Sequence, residues 1–139
     1  MDGSIKLLRV VQVGMSGAIA VFIVVGEAIG SVSHVSNMTM FYVLSMVTVT
    51  IVGVILVVRR TLITQSANTL ASHPSDAATL GRWRIGYVMT YALSEAIALF
   101  GVVLRLTGFT FSQVVPFYAA GFILLIFFGP RNPLGAAQA

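Results

Sequence analysis

A single carboxylate, Glu95, stands in the middle of the apolar run from Ala92 to Leu104. A charge at the centre of a bilayer costs at least ~2.5 kcal/mol even on the lenient insertion scale, so an acid kept there is a functional candidate by default. Desolvation disfavours the ionised form of a carboxyl. A group that is neutral in lipid and ionised in a polar channel can therefore carry a proton across a barrier. Tyr91 lies one turn earlier on the same helical face, within reach to donate its hydroxyl, and Ala92 and Ala98 leave room for another helix. The structural alternative is a protonated glutamate joining two helices through one hydrogen bond. A second acid, Glu27, sits in another apolar run, displaced ~10 Å from its middle at 1.5 Å per residue. His34 follows seven residues on, two turns along the same face if the helix continues. Glu95, Glu27 and Tyr91 are thus the candidate ion-binding residues, and His34 a candidate proton relay. Interfacial hydration of Glu27 is the plainer reading. Gly26 and Gly30 flank Glu27 at the spacing that permits close helix packing.

Other chemistry finds little support. There is no cysteine, which excludes disulfides and thiolate metal sites. No histidine lies within a span, so axial haem ligands are missing, and no metal-ligand spacing, nucleophile triad or phosphate loop occurs. The expectation is a non-enzyme with no cofactor and no bound metal. The net charge of +4 does not imply nucleic acid, because the basic residues sit at the ends of apolar runs, as membrane topology requires.

The elements that must position these residues follow from the hydropathy pattern. Of the 139 residues 58% are hydrophobic and 9% charged, against roughly 25% charged in soluble domains. Four runs, about 10–30, 40–58, 85–106 and 111–128, are long enough to be helical spans of a ~30 Å hydrocarbon core. The fold expected is an all-α four-transmembrane-helix bundle forming a single domain, with residues 59–84 as its one substantial loop. Ser75 or Asp76 should cap a short helix in that loop. Pro116 frees the carbonyl of Ser112 and should kink the fourth span. Phe41, Tyr42, Trp83, Tyr87, Phe109 and Phe111 fall near span ends and read as interface anchors, while Arg105 can snorkel to water.

Seven of the eight Lys and Arg residues (Lys6, Arg9, Arg59, Arg60, Arg82, Arg84 and Arg131) fall on one side, and only Arg105 on the other. That bias places both termini and the central loop in the cytoplasm, in a multi-pass protein of a bacterial inner or plasma membrane. A shift of 68 residues lays Gly26-Glu27-Ala28-Ile29-Gly30 over Ser94-Glu95-Ala96-Ile97-Ala98, suggesting a duplicated hairpin.

The loop Ala71-Ser72-His73-Pro74-Ser75 followed by Ala92-Leu93-Ser94-Glu95-Ala96-Ile97-Ala98-Leu99-Phe100-Gly101 resembles the proteolipid c subunit of rotary ATPases over residues 71–104. The resemblance implies a ring of subunits in which Glu95 binds a proton or sodium ion. A shorter stretch, residues 18–31 around Val25-Gly26-Glu27-Ala28, resembles the first helix of small multidrug-resistance antiporters, which implies an essential glutamate at Glu27. The functional expectation is a proton- or ion-handling transport subunit centred on Glu95. The alternatives are a small proton-coupled antiporter using Glu27, or a non-catalytic accessory bundle. Its partners would be the lipid bilayer and either further copies of itself or a larger membrane complex.

Overall fold

The computed structural model describes residues 2–30 and 37–133, and these are all-helical with no strand among them. Four helices follow one another: α1 Asp2–Ile29, α2 Met38–Ser72, α3 Ala77–Leu106 and α4 Phe111–Phe127. The first three are long and apolar enough to cross a membrane, and α4 is a shorter apolar helix of 17 residues.

Two expectations change here. The first span, expected to begin near residue 10, is already helical from Asp2, two turns earlier. The stretch 59–84, read as a loop, is almost wholly helix. α2 runs unbroken for 35 residues, ~52 Å at 1.5 Å per residue, and α3 begins after a four-residue turn at 73–76. The physical reason is a π segment at Arg59–Thr64. The buried positions of α2 are Ile55, Val58, Ile63, Ser66 and Leu70. The step of five from Val58 to Ile63 is one residue wider than an α turn allows, and the π turn absorbs that residue. Beyond it the same side of the helix keeps facing α3. Ile63 lands on Gly86, where a Cβ would lie 2.7 Å from the Ile63 Cγ1.

Helix ends follow local chemistry. The Asn37 side chain accepts from the Thr39 N–H at 3.0 Å to start α2. Of the two expected caps it is Asp76 that starts a helix, the 30-residue α3 rather than a short one, accepting from the Ala78 N–H and the Thr79 hydroxyl. The α3–α4 turn uses Gly108 at φ 104°, a backbone conformation that side chains disfavour, and the Phe109 N–H closes the turn on the Leu104 carbonyl. Gln113 reaches back to accept from the Thr110 N–H at the start of α4. Pro116 lies inside α4, which continues to Phe127 and stops before Gly129-Pro130.

α3 is the hub and contacts every other helix. Its deepest seam, Trp83, Tyr87, Thr90, Ser94, Ile97, Gly101 and Leu104, steps alternately by four and three, the 3.5-residue period of supercoiled packing. Small residues along this seam let the neighbouring helices pack closely. On Gly121 a Cβ would lie 2.9 Å from both the Ala98 Cβ and the Ser94 carbonyl oxygen, and on Gly101 one would lie 2.7 Å from the Tyr118 ring. α1 and α3 run parallel, with Ser4 beside Arg84 and Gly26 beside Val102. α2 joins the others at its two ends. Phe41 meets Phe109 and Phe117 with ring centroids 5.4 and 5.9 Å apart, while Ile55, Val58 and Ile63 are buried at the other end. Between these ends an apolar groove of about 240 Å³ opens between α2 and α4, lined by Phe41, Ser45, Thr48, Val49, Pro116 and Phe117.

The interface anchors need correcting. Trp83, Tyr87 and Phe109 are buried in the bundle, with Trp83 edge-on to Tyr87 at 5.0 Å, whereas Tyr42 and Phe111 are exposed. Trp83 is on the α3 seam, so helical phase rather than depth decides its surroundings.

Two outcomes follow. Gly121→Val should destabilise the bundle by ~1–3 kcal/mol through forced separation of α3 and α4. Gly53→Ala, at a position with open space, should leave stability unchanged or raised. Thermal unfolding in detergent, followed by circular dichroism, checks both. The Asp76 carboxyl is held below its ordinary 3.8 by hydrogen bonds, first from the Thr79 side chain. Its capping contribution is present above that value and is lost as pH falls through the depressed one. Asp76→Asn should remove this acid-dependent loss, read as fraying of the start of α3 by amide exchange.

Candidate functional site

The four acids of the chain are Asp2, Glu27, Asp76 and Glu95. Asp2 is exposed at the start of α1, and Asp76 is committed to its cap. The other two lie within apolar helices and have contrasting surroundings.

Glu27 is paired. The Arg105 Nε donates to Glu27 Oε1 at 2.9 Å and Nη2 to Oε2 at 3.3 Å, a two-point contact between planar groups. Arg105 Nη1 also donates to the Phe109 carbonyl at 3.1 Å, so one side chain ties the end of α1 to the α3–α4 turn. Arg105 is 18% exposed and Glu27 34%. Arg105 therefore does not simply snorkel to water. The helix packing makes the pair possible: Gly26 lies against Val102 and the Tyr118 hydroxyl, and Gly30 lies against the Arg105 side chain. The expected role of Gly26 and Gly30 in close packing matches this geometry. His34 lies outside the described residues, and the partner that Glu27 has among them is Arg105.

Glu95 is half-buried on α3 and has no ion pair or hydrogen bond among the described residues. It is eleven residues from Arg84 and ten from Arg105, ~16 and ~15 Å along the helix, and so midway between the two charges that bracket the apolar part of α3. It shares a stripe with Arg84 and Val102, eleven and seven residues away, both of which touch α1. Next to it on the outer side, Ala92 and Leu99 are exposed. Glu95 is thus at the edge of the α1–α3 contact and opens outward from the bundle.

The expected Tyr91–Glu95 hydrogen bond is not formed. Tyr91 is fully buried, its ring 6.0 Å from that of Tyr87, and its hydroxyl has no partner among the described residues. Side chains on a helix lean toward the N-terminus, so the Tyr91 hydroxyl points away from residue 95. The alignment of Glu27 with Glu95 in the proposed repeat also differs from their depth, since Glu27 is level with Arg105.

Further polar groups, absent from the sequence-based candidates, collect at two levels. At the level of Arg59, its guanidinium carbon lies 3.9 Å from the centroid of Phe128 and 5.8 Å from that of Tyr87, a cation–π arrangement. The Arg59 Nη1 is buried without a partner among the described residues, the Tyr87 hydroxyl accepts from the Arg131 N–H at 3.3 Å, and Gln12 donates to the Leu125 carbonyl at 2.8 Å. At the level of Arg105, the Tyr118 hydroxyl is buried beside Gly26 with no partner among the described residues. Between the levels Ile19, Ile97 and Ala98 are fully buried and apolar, and the buried Thr90 and Ser94 hydroxyls are spent on the Gly86 and Thr90 carbonyls, so the described residues form no continuous polar track across the interior. The signal that was legible but missed is the match between the one base on its side, Arg105, and the one acid displaced toward that side, Glu27.

No protein-family model matches the chain, and no curated protein or solved structure does either.

Breaking the Glu27–Arg105 pair should cost more from one side than from both. Glu27→Gln and Arg105→Gln should each destabilise, and the double variant should recover part of the loss, with a coupling on the order of 1 kcal/mol for a half-exposed pair. A thermal-unfolding cycle on the four proteins measures it.

Proposed function

We propose that this chain is a four-span integral membrane protein that handles protons or small cations through Glu95. Three helices long and apolar enough to cross a bilayer support the membrane reading, and the shorter α4 returns the chain as a fourth span. The charge bias orients both termini and the α2–α3 turn toward the cytoplasm. The observation that carries the functional reading is the contrast between the two acids: Glu27 is neutralised by Arg105, whereas Glu95 is alone at mid-depth and opens outward. An isolated carboxylate in hydrocarbon is costly, and protonation or a bound cation removes that cost. Each crossing of such a carboxyl between lipid and a polar surface can move one charge. Because the interior is closed by Ile19, Ile97 and Ala98, exchange would take place on the outer face of the bundle, against a neighbouring subunit. The resemblance of residues 71–104 to rotary-ATPase c subunits agrees with this placement. The likeness of residues 18–31 to multidrug antiporters is weakened, because Glu27 is engaged by Arg105.

A second reading, an accessory bundle within a larger complex, is favoured by the same closed interior and by the structural use of Glu27.

Proton and sodium uptake into vesicles containing the purified protein separates the readings. The expected result is flux in the wild type, at least a tenfold loss in Glu95→Gln, and retention in Glu27→Gln per folded molecule. Equal flux in Glu95→Gln and wild type, or none in either, overturns the transport reading and leaves the accessory one.

A further inference from the structure

A polar cleft of about 130 Å³ lies where α2 passes the start of α3, lined by Thr61, Gln65, Ser66, Thr69, Thr79 and Arg82. Its lining residue Arg82 is thirteen residues before Glu95 on α3, and the reading of Glu95 does not bear on it. Its donors divide into two groups. The hydroxyls of Thr61, Thr69 and Thr79 are spent on the Val57 carbonyl, the Gln65 carbonyl and the Asp76 carboxylate. The Ser66 hydroxyl, the Gln65 amide and the Arg82 guanidinium have no hydrogen bond or ion pair among the described residues. Ser66 is 5% exposed, so its hydroxyl is a nearly buried donor whose available space is the cleft. Gln65 and Arg82 are exposed and the Ser66 oxygen is not fully enclosed, so solvent or a ligand entering the cleft supplies their partners.

The donor set selects the ligand. No acid lines the cleft, and both oxygens of nearby Asp76 are already engaged by its own cap. One guanidinium, one amide N–H and one hydroxyl around a small volume match a tetrahedral oxyanion, for which charge-assisted bonds from arginine are the strongest available. The position also fits. The cleft begins just past Arg59 and Arg60, where the apolar part of α2 ends, and is level with the start of α3, which in the proposed orientation is the headgroup layer.

We propose that this cleft binds a phosphate group, carried by an acidic phospholipid headgroup or by a soluble phosphate ester. Arg82 supplies the charge, and Ser66 and Gln65 fix the orientation.

The test uses the full chain in phosphate-free maltoside micelles, titrated separately with inorganic phosphate and with phosphatidylglycerol. Thermal unfolding and native mass spectrometry are the readouts. Saturable stabilisation with a single adduct is expected in at least one titration. Stabilisation by phosphate alone identifies a soluble ester, and stabilisation only by phosphatidylglycerol identifies the headgroup. Affinity should fall about tenfold in Arg82→Gln and severalfold in Ser66→Ala, with no change in Arg60→Gln, which removes an exposed charge outside the cleft. No saturable stabilisation in either titration, or equal losses in Arg60→Gln and Arg82→Gln, overturns the proposal.

Discussion

A charge removed from water needs a partner, and the arrangement of this bundle follows from how each charged group among its apolar helices meets that constraint. Arg105 and Glu27 meet it together. Their two-point contact fixes the end of α1 against the α3–α4 turn and so sets the relative height of α1 and α3. Arg59 meets it by lying over the Phe128 ring, where the aromatic face replaces part of the lost hydration. Glu95 has neither solution within the described residues. A group left outside the internal pairing of an otherwise paired set is where an external proton, ion or subunit would act, and that is the basis of the functional proposal.

The packing that holds Glu95 at its depth is concentrated on α3. Its seam is small where helices cross, at Ser94, Ala98 and Gly101, and aromatic toward its start, at Trp83, Tyr87 and Tyr91. The first group lets α4 approach to backbone distance. The second fills the wider space beside α1 and the π segment of α2. α2, by contrast, buries few residues between Met38 and Val58, and it is held mainly at its two ends.

The helical class, the four apolar segments and a helix cap at Ser75 or Asp76 were legible in the sequence, because each rests on local pattern or turn chemistry. The sequence did not reveal that residues 59–72 continue α2 as helix. A π turn breaks the periodicity on which helices are recognised, and Arg59-Arg60 beside a run of hydroxyl residues imitates a loop. It also misplaced Trp83, Tyr87 and Phe109, since nearness to a span end says nothing about which face a side chain occupies. For the candidate site, Glu95 and Glu27 stood out as acids in apolar runs. Their difference was invisible, because it depends on Arg105, 78 positions away from Glu27 in the chain and brought alongside only by the parallel packing of α1 and α3. Tyr91 was placed one turn from Glu95 correctly, yet the lean of helical side chains sends its hydroxyl the other way.

The central claim is that the two acids within apolar helices are not equivalent. Treating the protein in intact vesicles with a lipid-soluble carbodiimide, then locating the adduct by peptide mass spectrometry, tests it most directly, because such a reagent attacks protonated carboxyls it can reach from the hydrocarbon. The account predicts modification at Glu95 and none at Glu27, whose oxygens are occupied by Arg105. Modification at Glu27 with Glu95 untouched would contradict it.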